Sequence, residues 1–225
     1  MTALRIDDSL VRWSVEPERV DDALGEQPLL VLLHGYGSFE GDLISLAPHL
    51  PARFVCASPR APLTAPPPVV NGYAWFPLGE PGTPDPRAVD EAAGAVLDWI
   101  DRLASRATGA LGPIALLGFS QGGAMVTQLF RRRPEAFAAG VNLSGFAPGG
   151  SFPGDAALAA SRPPMFWGRD TADPIIAPVA IERTSAWLPE HFTVEARLYP
   201  GIAHSVSGPE LADVAGFLTD TVLAR

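Results

Sequence analysis

Short apolar runs rich in β-branched residues recur along the chain, separated by longer stretches in which apolar residues fall at three- and four-residue steps. The first pattern marks buried strands and the second amphipathic helices; their alternation is that of βαβ units around a mostly parallel sheet. Strands are predicted at 29–33, 53–57, 114–117, 138–143, 164–167 and 193–199, with a weaker edge strand near 11–15. Several are apolar throughout, as strands covered on both faces are. Val89, Ala92, Ala93, Val96, Leu97, Ile100 and Leu103 outline one helix, and Leu211, Val214, Leu218 and Val222 another near the C-terminus. A third helix runs from Gln121 to about Arg133, because Pro134 cannot easily continue it. Arg131-Arg132-Arg133 falls in its last turn, where cations suit the helix dipole without any phosphate ligand. The fold class is α/β.

One stretch departs from this regularity. Residues 59–86 hold Pro62, Pro66, Pro67, Pro68, Pro77, Pro81 and Pro84 together with Tyr73, Trp75 and Phe76. So much proline prevents a helix or central strand and stiffens the loop. A long loop bearing three aromatics in an economical chain reads as a lid or pocket wall. No internal repeat or compositional break divides the sequence, so residues 1–225 are expected to form a single domain.

Composition narrows the function classes. Hydrophobic residues make up 47% and charged residues 18%, which excludes a disordered or fibrous chain. No apolar run approaches the roughly 18 residues of a membrane span. Sixteen basic against twenty-five acidic side chains leave a net charge of −9, a field that repels nucleic acid and anionic lipid surfaces. The segment Met1–Asp8 lacks a basic region followed by a long apolar stretch, so export is not expected. The single cysteine, Cys56, lies in an apolar run as a packing residue and fits a reducing cytoplasm.

The sharpest chemical signal is Ile114-Ala115-Leu116-Leu117-Gly118-Phe119-Ser120-Gln121-Gly122-Gly123, a predicted strand that runs through GxSxG into a predicted helix. This is the setting of a nucleophile elbow: the flanking glycines leave room for a sharp turn that lifts the Ser120 hydroxyl above the sheet edge. Serine needs an adjacent base, and histidine supplies one near neutral pH. Of the four histidines, His49 and His191 lie in or beside predicted helices, and His34 is expected to bond within its own loop. His204 follows the last strand in a loop and is the candidate base. The orienting carboxylate should precede the histidine in chain order, after the intervening strand. Gly168-Arg169-Asp170-Thr171-Ala172-Asp173-Pro174 offers two: Asp173 is the better candidate and Asp170 the reserve, whose alternative role is to hold Arg169 or shape the turn. The strand 29–33 ends in His34-Gly35-Tyr36-Gly37, a loop that can aim a backbone N–H at a developing oxyanion, with the N–H of Gln121 as second donor.

Together these segments resemble the carboxylesterase/phospholipase/acyl-protein thioesterase family of α/β-hydrolases. The likeness rests on His34-Gly35-Tyr36-Gly37, Gly118-Phe119-Ser120-Gln121-Gly122-Gly123, Leu143-Ser144-Gly145-Phe146, Ala172-Asp173-Pro174-Ile175-Ile176 and Gly201-Ile202-Ala203-His204. It implies an α/β-hydrolase fold, with helices on both faces of the sheet and the Pro-rich segment as a short lid loop. It also implies Ser120, Asp173 and His204 as a catalytic triad and the N–H groups of Tyr36 and Gln121 as an oxyanion hole. Asn71-Gly72-Tyr73-Ala74-Trp75-Phe76 resembles the family's pocket-side loop. The expected activity is a serine carboxylesterase for small to medium neutral esters, bound by Tyr73, Trp75 and Phe76 with Phe39 and Phe146 as neighbours. Thioester or lysophospholipid hydrolysis is the alternative within the family; a non-catalytic binding module is the alternative outside it. No cofactor or metal is expected, the sequence having neither metal-ligand spacing nor a phosphate-cradling glycine loop. The expected partner is a small-molecule ester, with no nucleic acid and no integral membrane contact. Relatives of this type often pair, which makes a homodimer the assembly to test.

Overall fold

A computed structural model describes residues 3–79 and 83–224. Among the described residues nine strands are present: β1 (Arg12–Trp13), β2 (Leu29–Leu33), β3 (Val55–Ser58), β4 (Leu63–Thr64), β5 (Tyr73–Ala74), β6 (Ile114–Phe119), β7 (Ala139–Leu143), β8 (Pro164–Arg169) and β9 (Thr193–Leu198). The α-helices are α1 (Val20–Glu26), α2 (Gly41–Ile44), α3 (Pro86–Arg106), α4 (Gln121–Arg132), α5 (Asp155–Ser161), α6 (Pro178–His191) and α7 (Gly208–Leu218).

Seven strands form one sheet in the order β1-β3-β2-β6-β7-β8-β9, parallel except for the edge strand β1. Side chains alternate across it with period two. Leu29, Val31 and Leu33 face α1, α3, α4, α5 and α6, whereas Leu30, Leu32 and Cys56 face α2 and α7. Both faces are covered, which is why β2 reads as five consecutive buried apolar residues. β9 lies at the open edge, largely exposed, and carries Glu195 and Arg197, charges that discourage edge-to-edge pairing.

The helix ends follow local chemistry. Asp85 caps α3 by accepting the Arg87 N–H at 3.0 Å, with Pro86 at the first helical position. Ser207 and Glu210 form a capping box on α7. The predicted C-terminal helix changes pitch after Leu218, so Val222 falls in a π turn, Thr219–Leu223. The arginine triplet does more than answer a dipole: Arg131, Arg132 and Arg133 bond to Asp155, Asp90 and Asp101 respectively. Cys56 is buried, and that burial raises its thiol to about 11. No helix among the described residues is long and apolar enough to cross a membrane.

The topology fixes where a site can form. From β2 the chain moves to β3 on one side; β6 then pairs on the other side of β2, and β7, β8 and β9 continue outward in that direction. The connections leaving β2 and β6 therefore part above their carboxyl ends and open a crevice there. The loops after β2, β6, β8 and β9 all emerge at this edge.

Candidate active site

Ser120 sits between β6 and α4 at φ 55° and ψ −113°, a backbone state that residues with side chains rarely adopt. Its surroundings force the turn. A Cβ on Gly118 would strike the Gly122 carbonyl, and one on Gly122 would strike the Leu33 carbonyl, so only bare backbone fits where the elbow crosses β2. The Ser120 N–H donates to Leu143 O at 2.8 Å. Buried Asn142 ties the first turn of α4 to the end of β7, donating to Gly123 O at 3.1 Å and accepting from the Gly145 N–H at 2.9 Å.

Three side chains far apart in sequence meet at this point. His204 Nε2 stands 2.9 Å from Ser120 Oγ, and His204 Nδ1 stands 2.7 Å from Asp173 Oδ2. The second bond directs the Nδ1 proton to the carboxylate and leaves Nε2 as acceptor for the serine hydroxyl. Asp173 is held in turn by the N–H groups of Ile175 and Ile176, at 2.8 and 3.1 Å from its Oδ1. Its side chain is 1% exposed against 15% for His204, and the ring of Phe119 leans on the imidazole with centroids 4.8 Å apart. Asp170 does not meet the imidazole. It accepts the N–H groups of Ala172 and Ala203 at 2.9 and 2.5 Å, and these donors hold its carboxyl below the usual range.

Tyr36 and Gln121 flank Ser120 at the ends of β2 and β6. Among the described residues neither backbone N–H has a protein acceptor, and the Gln121 N–H is the first of α4, where the helix dipole adds positive potential. The loop after β2 is braced by backbone bonds: the Gly37 N–H donates to Tyr73 O, and the Tyr73 N–H donates to Ser38 O, each at 2.8 Å. His34 is buried and structural. Its Nδ1–H donates to Gly35 O at 2.8 Å and its Nε2 accepts the Ala61 N–H at 3.1 Å, while burial pulls its pKa down.

A cavity of about 460 Å³ opens above Ser120. Phe76 and Phe146 line it, together with Leu78, Pro84, Phe119, Ile175, Ile176, Ala177 and Ala180. Among the described lining residues, Asp42 and His204 are the only titratable side chains besides Tyr36. Three of the expected binding residues stand outside this wall. Trp75 is fully buried, its indole donating to His34 O and its backbone N–H to Gln121 Oε1, both at 2.8 Å. The Tyr73 ring packs beneath Arg60, 4.4 Å from the guanidinium carbon, so Tyr73 serves the site through its backbone alone. Phe39 folds over Gly41 and is 48% exposed. The Gln121 amide also donates to Phe76 O at 2.7 Å, which stitches the Pro-rich segment to the elbow as a wall. Pro81, in the same segment, lies outside the described residues. Phe119 carried a signal, as the variable residue before the serine; Ala177 and Ala180 had none, being small residues at the N-cap and in the first turn of α6.

Sheet order, helix placement and the serine at the switch point define an α/β-hydrolase fold. The phospholipase/carboxylesterase family model matches residues 17–222, and the chain belongs to that family. Acyl-protein thioesterase 1 of Debaryomyces hansenii is 30% identical over 179 residues, covering 73% of this chain and 74% of that protein. The crystal structure of Arabidopsis thaliana SOBER1 superposes with a TM-score of 0.72 at 22% identity, over 87% of this chain and 99% of that one. A carboxylesterase from Bacillus cereus gives 0.76 at 19% identity, over 94% and 93% of the two chains. At these identities the structural likenesses speak for the fold.

Proposed function

We propose that the protein is a serine carboxylesterase that hydrolyses small to medium neutral esters through an acyl-enzyme. The observation that carries this reading is the Ser120–His204–Asp173 hydrogen-bonded chain on the wall of an apolar cavity. Ser120 Oγ attacks the ester carbonyl as its proton passes to His204 Nε2. The carbonyl electron pair moves to oxygen, where the N–H groups of Tyr36 and Gln121 receive it; one such donor is worth roughly 2.7–4 kcal/mol in a comparable site. Asp173 keeps the imidazole in the required tautomer and stabilises the imidazolium. Collapse of the tetrahedral intermediate breaks the bond to the leaving oxygen, which takes the proton from Nε2. Water then adds to the acyl-enzyme, its proton passing to Nε2 and on to Ser120 Oγ as the acid departs.

The lining disfavours an anionic acyl group, since Phe76, Phe146, Ile176 and Ala180 offer no partner for an anion and Asp42 is itself acidic. A thioester substrate is the second reading, favoured by the relative named acyl-protein thioesterase 1. Labelling with a serine-directed fluorophosphonate tests the proposal: one adduct on Ser120, abolished by Ser120→Ala, is expected. Folded protein that takes no label would return the chain to a binding role. Matched oxygen and sulfur esters of the same acid then separate the two substrate classes.

A further inference from the structure

Three residues before Asp173, Asp170 is 2% exposed, and its two oxygens are divided between two loops. Oδ1 accepts the Ala172 N–H at 2.9 Å and the Thr171 hydroxyl at 3.1 Å, both within the turn that presents Asp173. Oδ2 accepts the Ala203 N–H at 2.5 Å, one residue before His204. Ala203 stands at φ 55°, a left-handed state that a residue with a Cβ does not hold without support. Gly201, also at positive φ with no heavy atom within 4 Å of its would-be Cβ, turns its own backbone N–H toward the same carboxylate.

We propose that Asp170 is a positioning residue: its buried carboxylate clamps the Asp173 turn to the His204 loop and thereby aims Nε2 at Ser120. The inference rests on the triad reading above and adds a residue to it. Only a carboxylate suits the place, because it presents acceptors on both sides. An amide of the same shape would set an NH₂ group against one set of donors. The donors that hold its pKa down also keep it ionised at neutral pH, so both oxygens stay acceptors. The clamp matters because the relay crosses between the loops after β8 and β9, and a displacement near 1 Å at a reacting group can cost on the order of a hundredfold in rate.

The test is a double-mutant cycle on p-nitrophenyl butyrate, with kcat, KM and Tm measured for wild type, Ser120→Ala, Asp173→Asn, Asp170→Asn and the Asp170→Asn/Asp173→Asn pair. Asp170→Asn is expected to lower kcat by about 10–100-fold with KM held within about threefold. In the Asp173→Asn background the same change should alter kcat by less than about threefold, because the geometry it guards is already lost. An unchanged kcat, or an equal loss in both backgrounds, overturns the proposal. If Asp170→Asn does not fold, Thr171→Val removes one donor to Oδ1 and should lower kcat about two- to fivefold at constant KM; no change there overturns it as well. Wild-type turnover in Ser120→Ala would refute the triad reading itself. Losses in Ser120→Ala and Asp173→Asn without one in Asp170→Asn would remove the clamp alone.

Discussion

The turn that bears Ser120 and the paired loops that bear Asp173 and His204 end in one hydrogen-bonded chain, but different forces hold them. The elbow is set by close backbone packing: Gly122 against the β2 carbonyl, Gly118 against Gly122, and α4 buried along most of its length. Nothing there can shift without moving the core. The loops that bear Asp173 and His204 lie at the margin of the molecule and are fixed by a handful of polar bonds, several of them to Asp170 and Asp173. Ser120 is thus placed by steric exclusion and His204 by hydrogen bonding. Damage to the first region should appear as lost fold, and damage to the second as lost rate.

The largest expected effect removes the chemistry and spares the packing: Ser120→Ala should reduce kcat by about 10⁵-fold or more while Tm stays within about 2 °C. A variant that kept measurable turnover would move the nucleophile elsewhere. Asp173→Asn should follow, with kcat reduced by about 10³–10⁴-fold through the wrong imidazole tautomer and little change in a urea midpoint. Gly122→Ala tests the opposite region. Its Cβ meets the Leu33 carbonyl, so a loss of about 3 kcal/mol or more in urea unfolding is expected; normal stability would show that the elbow is not sterically set.

The smallest effect concerns Glu210, just beyond the base loop. Burial raises its carboxyl to about 7, with the charge of Asp213 adding to the effect and the Ser207 N–H opposing it. A folded pKa above the unfolded one means that the folded state holds the proton longer. This contribution to stability is complete below about pH 4.5 and is lost as pH rises through about 7. Glu210→Gln keeps the capping geometry and should flatten this part of the pH–stability curve by on the order of 2 kcal/mol between pH 5 and 8, read from urea midpoints. Parallel curves for the two proteins would show that the carboxyl is solvated at neutral pH.

Much of this arrangement was legible in one dimension. The strands at β2, β3, β6, β7, β8 and β9 fall within two residues or so of the predicted spans; for the buried inner strands the reason is that cover on both faces demands a nearly unbroken apolar run. Ser120 was legible because an elbow needs glycine on both sides of the nucleophile, a requirement that acts over five consecutive residues. The arginine triplet was read only in part. Its place at the end of α4 is local information, but its partners Asp90, Asp101 and Asp155 come from other helices.

The pattern of apolar residues and the glycine-flanked serine, acting through periodicity and local sterics, were enough to determine a parallel α/β sheet and the order of its functional segments. Tertiary structure alone decided which of two carboxylates, three residues apart on one turn, faces His204 and which turns back to hold Ala203. It also buried Trp75 through bonds to His34 and Gln121 instead of presenting it to the cavity. Such choices depend on side-chain direction at the ends of separate strands. That direction is set by partners tens of residues away, so no local pattern records it.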